Sequence, residues 1–277
     1  MTALKENLEQ LEAAIFQACH RAGRPRDEVE LMAVSKTYPA AALAEAAALG
    51  LTLFGENRVQ EFAAKALELD ASLSGVNPEA NPVASPKANP AASSAEANPP
   101  EAAPLRLLRA PIRVHLIGHL QSNKAMRAVE LFDAVDSVDS LRLAERLNEA
   151  AGKLARRLPV LVEVKLSSEE SKAGLDPGSA AAVELLERLP DLPNLQLRGL
   201  MTFAPFDVSD HETRACFRSL RLWRDCWAAA YPRLSLDVLS MGMSGDFTLA
   251  IEEGATCVRV GTALFGARPA ATRPDLA

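Results

Sequence analysis

The chain lacks the features that would place it in a membrane or on a nucleic acid. No apolar run approaches the roughly 20 residues that a bilayer-spanning helix needs. Lysine and arginine are scattered through a chain of net charge -6, so no basic stripe is available to bind nucleic acid. The first ten residues are polar and acidic, which argues against a secretory signal peptide. We therefore expect a cytoplasmic protein that binds neither membranes nor nucleic acid.

Metal-site and disulfide patterns are missing as well. The cysteines show neither CxxC spacing nor the density of a disulfide framework, so we interpret them as reduced and mostly buried thiols. They are Cys19, Cys216, Cys226 and Cys257. His115 and His119 have a spacing that suits a metal only on a helix, but they fall in a strand and a turn. We predict no metal site, and the common hydrolase, P-loop and dinucleotide-binding motifs are absent.

What the chain does contain is a regular alternation of strand-like and helix-like segments. An amphipathic opening helix carries apolar residues at helical spacing from Leu4 to Ala18. Predicted strands then alternate with helices, at 29–35, 51–54, 113–117, 134–138, 160–166, 195–201, 234–239 and 255–260. Eight strand–helix units predict an α/β fold, a single closed (β/α)8 TIM barrel over residues 1–268 with a tail at 269–277. An open doubly wound sheet is the alternative.

One segment interrupts this alternation. Residues 75–104 are crowded with Pro, Ala, Asn, Ser and Glu, contain the Asn-Pro pair four times and lack aromatic residues. Such a composition cannot bury enough apolar surface to offset the entropy lost on ordering the chain. We predict a disordered surface loop before the third strand. A domain boundary is the weaker interpretation, because only two strand–helix units precede the segment.

Two lysines follow strands at positions suited to covalent chemistry. Lys36 comes directly after the first predicted strand, and Lys165 lies near the end of the fifth. Active sites of such barrels lie at the carboxyl ends of the strands. A lysine among apolar neighbours loses its proton more readily and becomes a nucleophile that can form an imine. Position alone leaves both lysines as candidates, and by itself favours a solvated lysine at a strand end over a reactive one.

The last two strands each end in a glycine-containing turn. Barrels often bind phosphate in the loops after strands seven and eight. Gly242 lets the backbone turn, and the amides of Met243 and Ser244 could face an anion. Gly261 and Thr262 would present a second pair of amides, although both glycines could simply make tight turns. An imine-forming lysine together with a phosphate cradle suggests pyridoxal 5'-phosphate (PLP).

Two further polar residues are candidates for contact with a cofactor ring: Arg259 within the eighth predicted strand and Asn57 after the second. Arg259 would lie near the rim of the barrel, where it could face a pyridine nitrogen and keep it unprotonated, because guanidinium is a permanent cation. An outward arginine paired with a helix carboxylate fits the spacing equally well. Asn57 could hydrogen-bond a ring hydroxyl, or it could cap the following helix.

Six segments, taken together, resemble the pyridoxal-phosphate homeostasis (PLP-binding) family, whose barrel is similar to the N-terminal domain of alanine racemase. The segments are AVSKT at 33–37, FGEN at 54–57, HLIGHLQSNK at 115–124, LRGLM at 197–201, LSMGMS at 239–244 and VRVGTALFG at 258–266. They stand in the same order over nearly the whole chain. Only the segment at 75–104 looks longer than the family pattern requires.

The resemblance implies a role for each candidate residue. Lys36, and not Lys165, would hold PLP as an internal aldimine. Arg259 would face the pyridine nitrogen, and Asn57 would lie beside the ring. The residues implied around the phosphate are Ser240, Gly242, Met243, Ser244, Gly261 and Thr262.

The function implied is that of a carrier without turnover of its own, and we expect the protein to be a monomer. It would hold PLP, limit the free aldehyde and release the cofactor to PLP-dependent enzymes. We expect no second domain after the barrel to supply the opposing acid or base that a PLP-dependent racemase needs. An amino-acid racemase and a Schiff-base aldolase for a phosphorylated sugar are the alternatives.

Overall fold

Eight parallel strands close into a barrel in the computed structural model, which describes residues 2–73, 112–166 and 173–267. The strands pair in chain order, and the last pairs back onto the first. They are β1 Glu30–Val34, β2 Leu53–Glu56, β3 Arg113–Leu116, β4 Ala134–Val138, β5 Leu158–Glu163, β6 Leu195–Met201, β7 Val238–Ser240 and β8 Cys257–Val260. The predicted closed barrel is confirmed, and the open sheet is wrong. The segment at 75–104 and the tail at 269–277 lie outside the described residues, so the predicted domain bounds stay a prediction.

A helix follows each strand and one precedes the barrel. The α-helices are α1 Ala3–Arg21, α2 Ala40–Ala48, α3 Val59–Leu73, α4 Ala125–Leu131, α5 Leu141–Lys153, α6 Ala180–Arg188, α7 Asp210–Ala230, α8 Phe247–Glu252 and α9 Thr262–Phe265. Short 3₁₀ turns lie at Arg26–Glu28, Ser122–Lys124 and Leu189–Asp191. Among the helices of the described ranges, none is long and apolar enough to cross a membrane.

Two apolar layers explain why the strand segments read as nearly continuous hydrophobic runs. One layer lies between the strands and the surrounding helices. The other fills the inside of the barrel and consists of Met32, Val34, Leu53, Ile117, Leu161, Met201 and Cys257. Strands of a parallel barrel are buried on both faces, so successive residues are apolar on both sides. Burial of each large aliphatic side chain contributes about 1.5–3 kcal/mol.

The opening helix packs against the helices that follow the last two strands. The Thr2 hydroxyl caps α1 by accepting the Lys5 amide at 3.4 Å. The apolar face of α1 then packs on α8 and α9, and Asn7 Nδ2 donates to the Leu264 carbonyl at 2.9 Å. The predicted amphipathic helix is thus confirmed, and it supports the two turns that the sequence identifies as phosphate-binding candidates.

Several strand ends differ from the predicted ones by one to four residues, most of all at β5 and β7. The predicted fifth strand continues to residue 166, whereas β5 ends at Glu163. Beyond that end the Val164 amide still donates to the Met201 carbonyl of β6 at 2.8 Å, and Val164 also forms an isolated bridge with Leu175. Strand β7 is short, since Leu234 closes a turn by donating its amide to the Tyr231 carbonyl at 2.9 Å. The four cysteines are free thiols, and all but Cys226 are buried, as predicted.

Candidate functional site

Lys36 lies in the turn that leaves β1 at the carboxyl end of the barrel, and its side chain is half-buried. The next residue, Thr37, has a φ of 69°, a left-handed conformation that costs a β-branched residue on the order of 1–3 kcal/mol. Its amide donates to Glu61 Oε1 on α3 at 2.7 Å. The hydrogen bond to α3 therefore helps to hold a strained turn at the residue beside Lys36.

A buried ion pair lies behind this turn. Lys65 Nζ on α3 donates to Glu56 Oε1 at 2.7 Å and to the Ser35 carbonyl at 3.0 Å, and Ser35 Oγ donates to the same glutamate oxygen at 2.8 Å. Burial raises the pKa of Glu56, while the Lys65 ammonium acts in the opposite direction. The second carboxylate oxygen, Glu56 Oε2, is buried and has no hydrogen-bond partner in the described parts of the chain. The turn is therefore joined to α3 on its inner side as well.

Arg259 is buried rather than outward-facing, with 2% of its surface exposed. Nη1 donates to the Ser240 carbonyl at 2.6 Å and to its hydroxyl at 2.8 Å, and Nη2 donates to the Thr202 carbonyl at 2.7 Å. The guanidinium carbon lies 4.5 Å from the centre of the Phe203 ring. The alternative of an outward arginine paired with a helix carboxylate is wrong.

One nitrogen of Arg259 makes no hydrogen bond to any residue that the structure describes. Its Nε is buried and has no hydrogen-bond partner within the described ranges. A buried donor without an acceptor costs about 1–3 kcal/mol. Burial lowers the pKa of Arg259, but a guanidinium stays protonated in proteins, so the group remains a cation that can only donate. An acceptor such as an aromatic nitrogen would fit this vacant donor.

The turn after β7 needs a glycine at one position. Gly242 has a φ of 91°, and a Cβ there would lie 2.6 Å from the Ala250 Cβ. In the same turn the Met243 amide donates to an Asp246 carboxylate oxygen. Burial raises the pKa of Asp246. The Met243 amide, expected to face an anion, is thus engaged by a carboxylate of its own turn.

Ser244 joins the turn after β7 to the turn after β8. Its Oγ accepts the amides of Gly261 and Ala263, each at 3.3 Å. Ser244 therefore does not cap α8, whose N-cap residue is Asp246. The two predicted phosphate turns lie side by side, and the serine hydroxyl connects them.

Asn57 lies after β2 in close contact with the turn after β3. A Cβ on Gly118 would approach the Asn57 backbone oxygen to 2.2 Å and its Oδ1 to 2.7 Å. Asn57 also lines a cavity of about 230 Å³ at the carboxyl end of the barrel. The other lining residues are Ile117, Gly118, His119, Glu163, Val164, Lys165, Leu166, Ala173 and Phe203. Lys165, the competitor of Lys36, is therefore also at this end of the barrel.

Glu163, the last residue of β5, carries a strongly perturbed carboxyl group. Only 4% of its surface is exposed. Burial raises its pKa to about 7, with Asp139 acting in the same direction and Arg259 in the opposite one. A carboxyl group with such a pKa can hold or release a proton at neutral pH.

The two histidines of the third strand region bind separate carboxylates. His115 Nδ1 lies 3.1 Å from Asp136 Oδ2, and His119 Nδ1 lies 3.1 Å from Asp139 Oδ2. Burial lowers the pKa of His115, but the Asp136 carboxylate outweighs it and the net shift is upward. The described ranges hold no cluster of three or more potential metal ligands.

The fold brings most of the candidate residues onto four neighbouring strands. Because β8 pairs with β1, the ends of β7, β8, β1 and β2 adjoin one another. They carry the serine and glycine turns, Arg259, Lys36 and Asn57. The sequence interpretation missed Glu56, Lys65 and Glu163, whose only signal is a charged residue within an apolar strand or on the buried side of a helix.

Comparison with known proteins identifies the family. The family profile described as "Alanine racemase, N-terminal domain" matches residues 2–269. The pyridoxal phosphate homeostasis protein of Vibrio alginolyticus is 38% identical over 97% of this chain and 99% of its own length. That of Pseudomonas aeruginosa is 40% identical over 97% of both chains. The chain belongs to the pyridoxal phosphate homeostasis protein family.

Solved structures of this family and of more distant proteins have the same barrel. PipY of Synechococcus elongatus with PLP bound is 40% identical, covers 91% of this chain and 99% of its own, and superposes with a TM-score of 0.68. An unknown protein from Bifidobacterium adolescentis is 33% identical over 94% of each chain, with a TM-score of 0.76. Alanine racemase of Clostridium difficile, at 16% identity and TM-score 0.62, covers 57% of its own length and shows a likeness of fold alone.

Proposed function

We propose that this chain binds PLP on Lys36 and takes part in PLP homeostasis as a cytoplasmic, monomeric carrier. Its relatives are named for pyridoxal phosphate homeostasis, and the PipY structure contains PLP. The observation that carries the proposal is the buried Arg259 Nε, a donor that lacks a partner in the described part of the chain. A pyridine nitrogen is an acceptor of the right kind for it. We propose PLP-dependent enzymes as the recipients.

Lys36 supplies the covalent attachment in this proposal. When bound, the cofactor supplies an aldehyde that condenses with a primary amine and releases water. The half-buried Lys36 lies in a turn joined to α3 from both sides, through Glu61 and Lys65. These contacts keep the lysine backbone in one place, which lowers the entropy lost on attachment.

Arg259 allows the cofactor to bind but disfavours catalysis with it. Because its guanidinium is a permanent cation, it can donate to the ring nitrogen but cannot leave a proton there. A pyridine nitrogen without a proton is a poor electron sink. We therefore propose that the protein has no racemase or transaminase turnover of its own.

The phosphate would be held by the two joined turns. Gly261 and Thr262 would offer amides at the start of α9, and Ser244 would offer its hydroxyl. Ser240 and Gly242 would shape the floor of the turn after β7. Met243 would donate its backbone amide to the phosphate. That amide donates to the Asp246 carboxylate in this structure, so this hydrogen bond would have to break first.

Borohydride reduction tests the proposal directly. Purified protein is incubated with PLP, reduced, digested and mapped by mass spectrometry. We expect the reduced adduct on Lys36, its loss in Lys36→Ala and its retention in Lys165→Ala. An adduct on Lys165 would move the attachment to β5, and no adduct on either lysine would refute the proposal.

Turnover is tested on the same preparation. We expect no racemisation or transamination above the rate that free PLP gives with the same amino acids. A rate that exceeds this background and disappears in Lys36→Ala would identify the protein as an enzyme.

A further inference from the structure

The cavity beside the proposed cofactor residues contains a carboxylate without a partner. Glu163 lines the cavity and is 4% exposed. Its backbone carbonyl accepts the Leu175 amide at 2.8 Å, but its carboxyl group makes no hydrogen bond or ion pair within the described ranges. A buried carboxylate of this kind is costly unless it is paired or protonated. The fold therefore maintains an acceptor at this point that its own side chains do not satisfy.

The two charged groups that shift the pKa of Glu163 have hydrogen-bond partners of their own. Asp139 faces it with the same sign of charge, but accepts from Ser140 Oγ and pairs with His119, each at 3.1 Å. Arg259 is the cation that lowers the pKa of Glu163, but its two terminal nitrogens donate to Ser240 and Thr202. The cavity is therefore acidic on its inner side and offers a position for a cation.

Lys165 and His119 line the same cavity. The Lys165 ammonium would complement a carboxylate, while Glu163 complements an ammonium. The volume of about 230 Å³ corresponds to on the order of eight non-hydrogen atoms, at roughly 30 Å³ for each atom of water size. These dimensions and charges fit a small amino acid.

The cavity and the proposed cofactor residues occupy adjoining parts of one barrel end. The cavity lies at the ends of β2, β3, β5 and β6, whereas the residues proposed for PLP lie on β7, β8, β1 and β2. The two share Asn57, and Phe203 of the cavity stacks on Arg259. A molecule in the cavity would therefore lie beside the cofactor.

We propose that this cavity binds the ammonium group of a small amino acid or amine on Glu163. The binding itself is non-covalent and needs no cofactor, whereas its use, in bringing an amine beside PLP, rests on the proposed function. Ammonium binding to Glu163 favours the charged carboxylate. Because the carboxyl pKa is about 7, binding at pH 7 would release about half a proton.

Calorimetry on the Lys36→Ala protein tests the proposal without interference from covalent attachment. Ethylamine, propionate and L-alanine are titrated at pH 7 in two buffers of different ionisation enthalpy. We expect ethylamine and L-alanine to bind with release of about half a proton, and propionate to bind at least tenfold more weakly than L-alanine. Absence of ethylamine binding would overturn the proposal.

Substitution of the carboxyl group provides the second arm. Glu163→Gln in the Lys36→Ala background should weaken ethylamine binding at least tenfold and abolish the proton release. Glu149→Gln on α5, where the side chain is 57% exposed, is the matched control and should change neither. Unchanged ethylamine affinity in Glu163→Gln would refute the assignment.

A measurement on the unsubstituted carboxyl group covers the case in which Glu163→Gln does not fold. The titration of Glu163 is followed by carbon NMR in the Lys36→Ala protein with and without saturating ethylamine. We expect ethylamine to lower the apparent pKa of this group by at least one unit. An unchanged titration would overturn the proposal. Because Lys36 is absent throughout, failure here is distinguishable from failure of PLP attachment, which the reduction experiment measures.

Discussion

Lys65 Nζ lies 2.7 Å from Glu56 Oε1, and both side chains are buried behind the turn that carries Lys36. The ammonium also binds the Ser35 carbonyl, so one cation on α3 holds both the end of β2 and the turn after β1. Removal of one partner of a buried pair leaves the other charge uncompensated, which costs more than the pair contributes. This arrangement predicts the effects of substitutions at a distance from the cofactor itself.

Lys65→Met should destabilise the protein by about 3 kcal/mol or more, because Glu56 is then buried without its cation. The measurement is the free energy of unfolding in urea. The double variant Lys65→Met/Glu56→Gln carries no uncompensated charge and should recover part of the loss. A cost below about 1 kcal/mol in the single variant would contradict the assigned role of the pair.

Glu163 should make stability depend on pH. Its folded pKa is raised from 4.5 to about 7, so the folded state binds the proton more tightly than the unfolded state. The resulting stability is fully present below about pH 4.5 and is lost as the pH rises to 7, by roughly 3 kcal/mol in all.

Urea unfolding at a series of pH values measures this effect. The unfolding free energy of the unsubstituted protein minus that of Glu163→Gln isolates the one carboxyl group from other titrating residues. We expect this difference to fall steadily between pH 4.5 and 7. A difference that is independent of pH would show that the carboxyl group does not titrate as inferred.

Gly242→Ala should be strongly destabilising. The left-handed φ of 91° and the 2.6 Å approach to the Ala250 Cβ both oppose a methyl group, and we expect a loss of about 2 kcal/mol or more. The affinity of Gly242→Ala for PLP should also be lower, because the added methyl group displaces the turn after β7. Gly245→Ala in the same turn is the control, since a Cβ there meets no atom within 4 Å. Equal effects of both substitutions on thermal unfolding would contradict this explanation.

Ser244→Ala should weaken PLP binding about tenfold, because it removes a hydroxyl proposed to bind phosphate and frees the two turns that it connects. The affinity is read from the absorbance of the bound cofactor during titration with PLP. Ser235→Ala, whose hydroxyl donates to an exposed Asp237 before β7, should leave the affinity unchanged. A similar affinity in both variants would remove Ser244 from the phosphate site.

Much of the fold was predictable because it depends on local patterns. Runs of apolar residues and helical periodicity lie within ten or twenty residues, and eight such units allow few arrangements other than the barrel. The glycine turns after β7 and β8 and the lysine after β1 are local too. The errors lie at strand ends, as after Glu163, where Val164 forms only an isolated bridge with the distant Leu175 and β5 ends before the predicted residue 166.

Only the tertiary structure decided which polar groups meet. Ser244 accepts amides 17 and 19 residues away, and Arg259 donates to Thr202 at a separation of 57 residues. Closure of the barrel determines these distances, because it places β8 against β1 and puts alternate side chains inside. The sequence by itself therefore determined the units and their order. The burial of Glu163, the pairing of Lys65 with Glu56 and the inward direction of Arg259 follow from the closed barrel, since desolvation depends on every neighbouring strand at once.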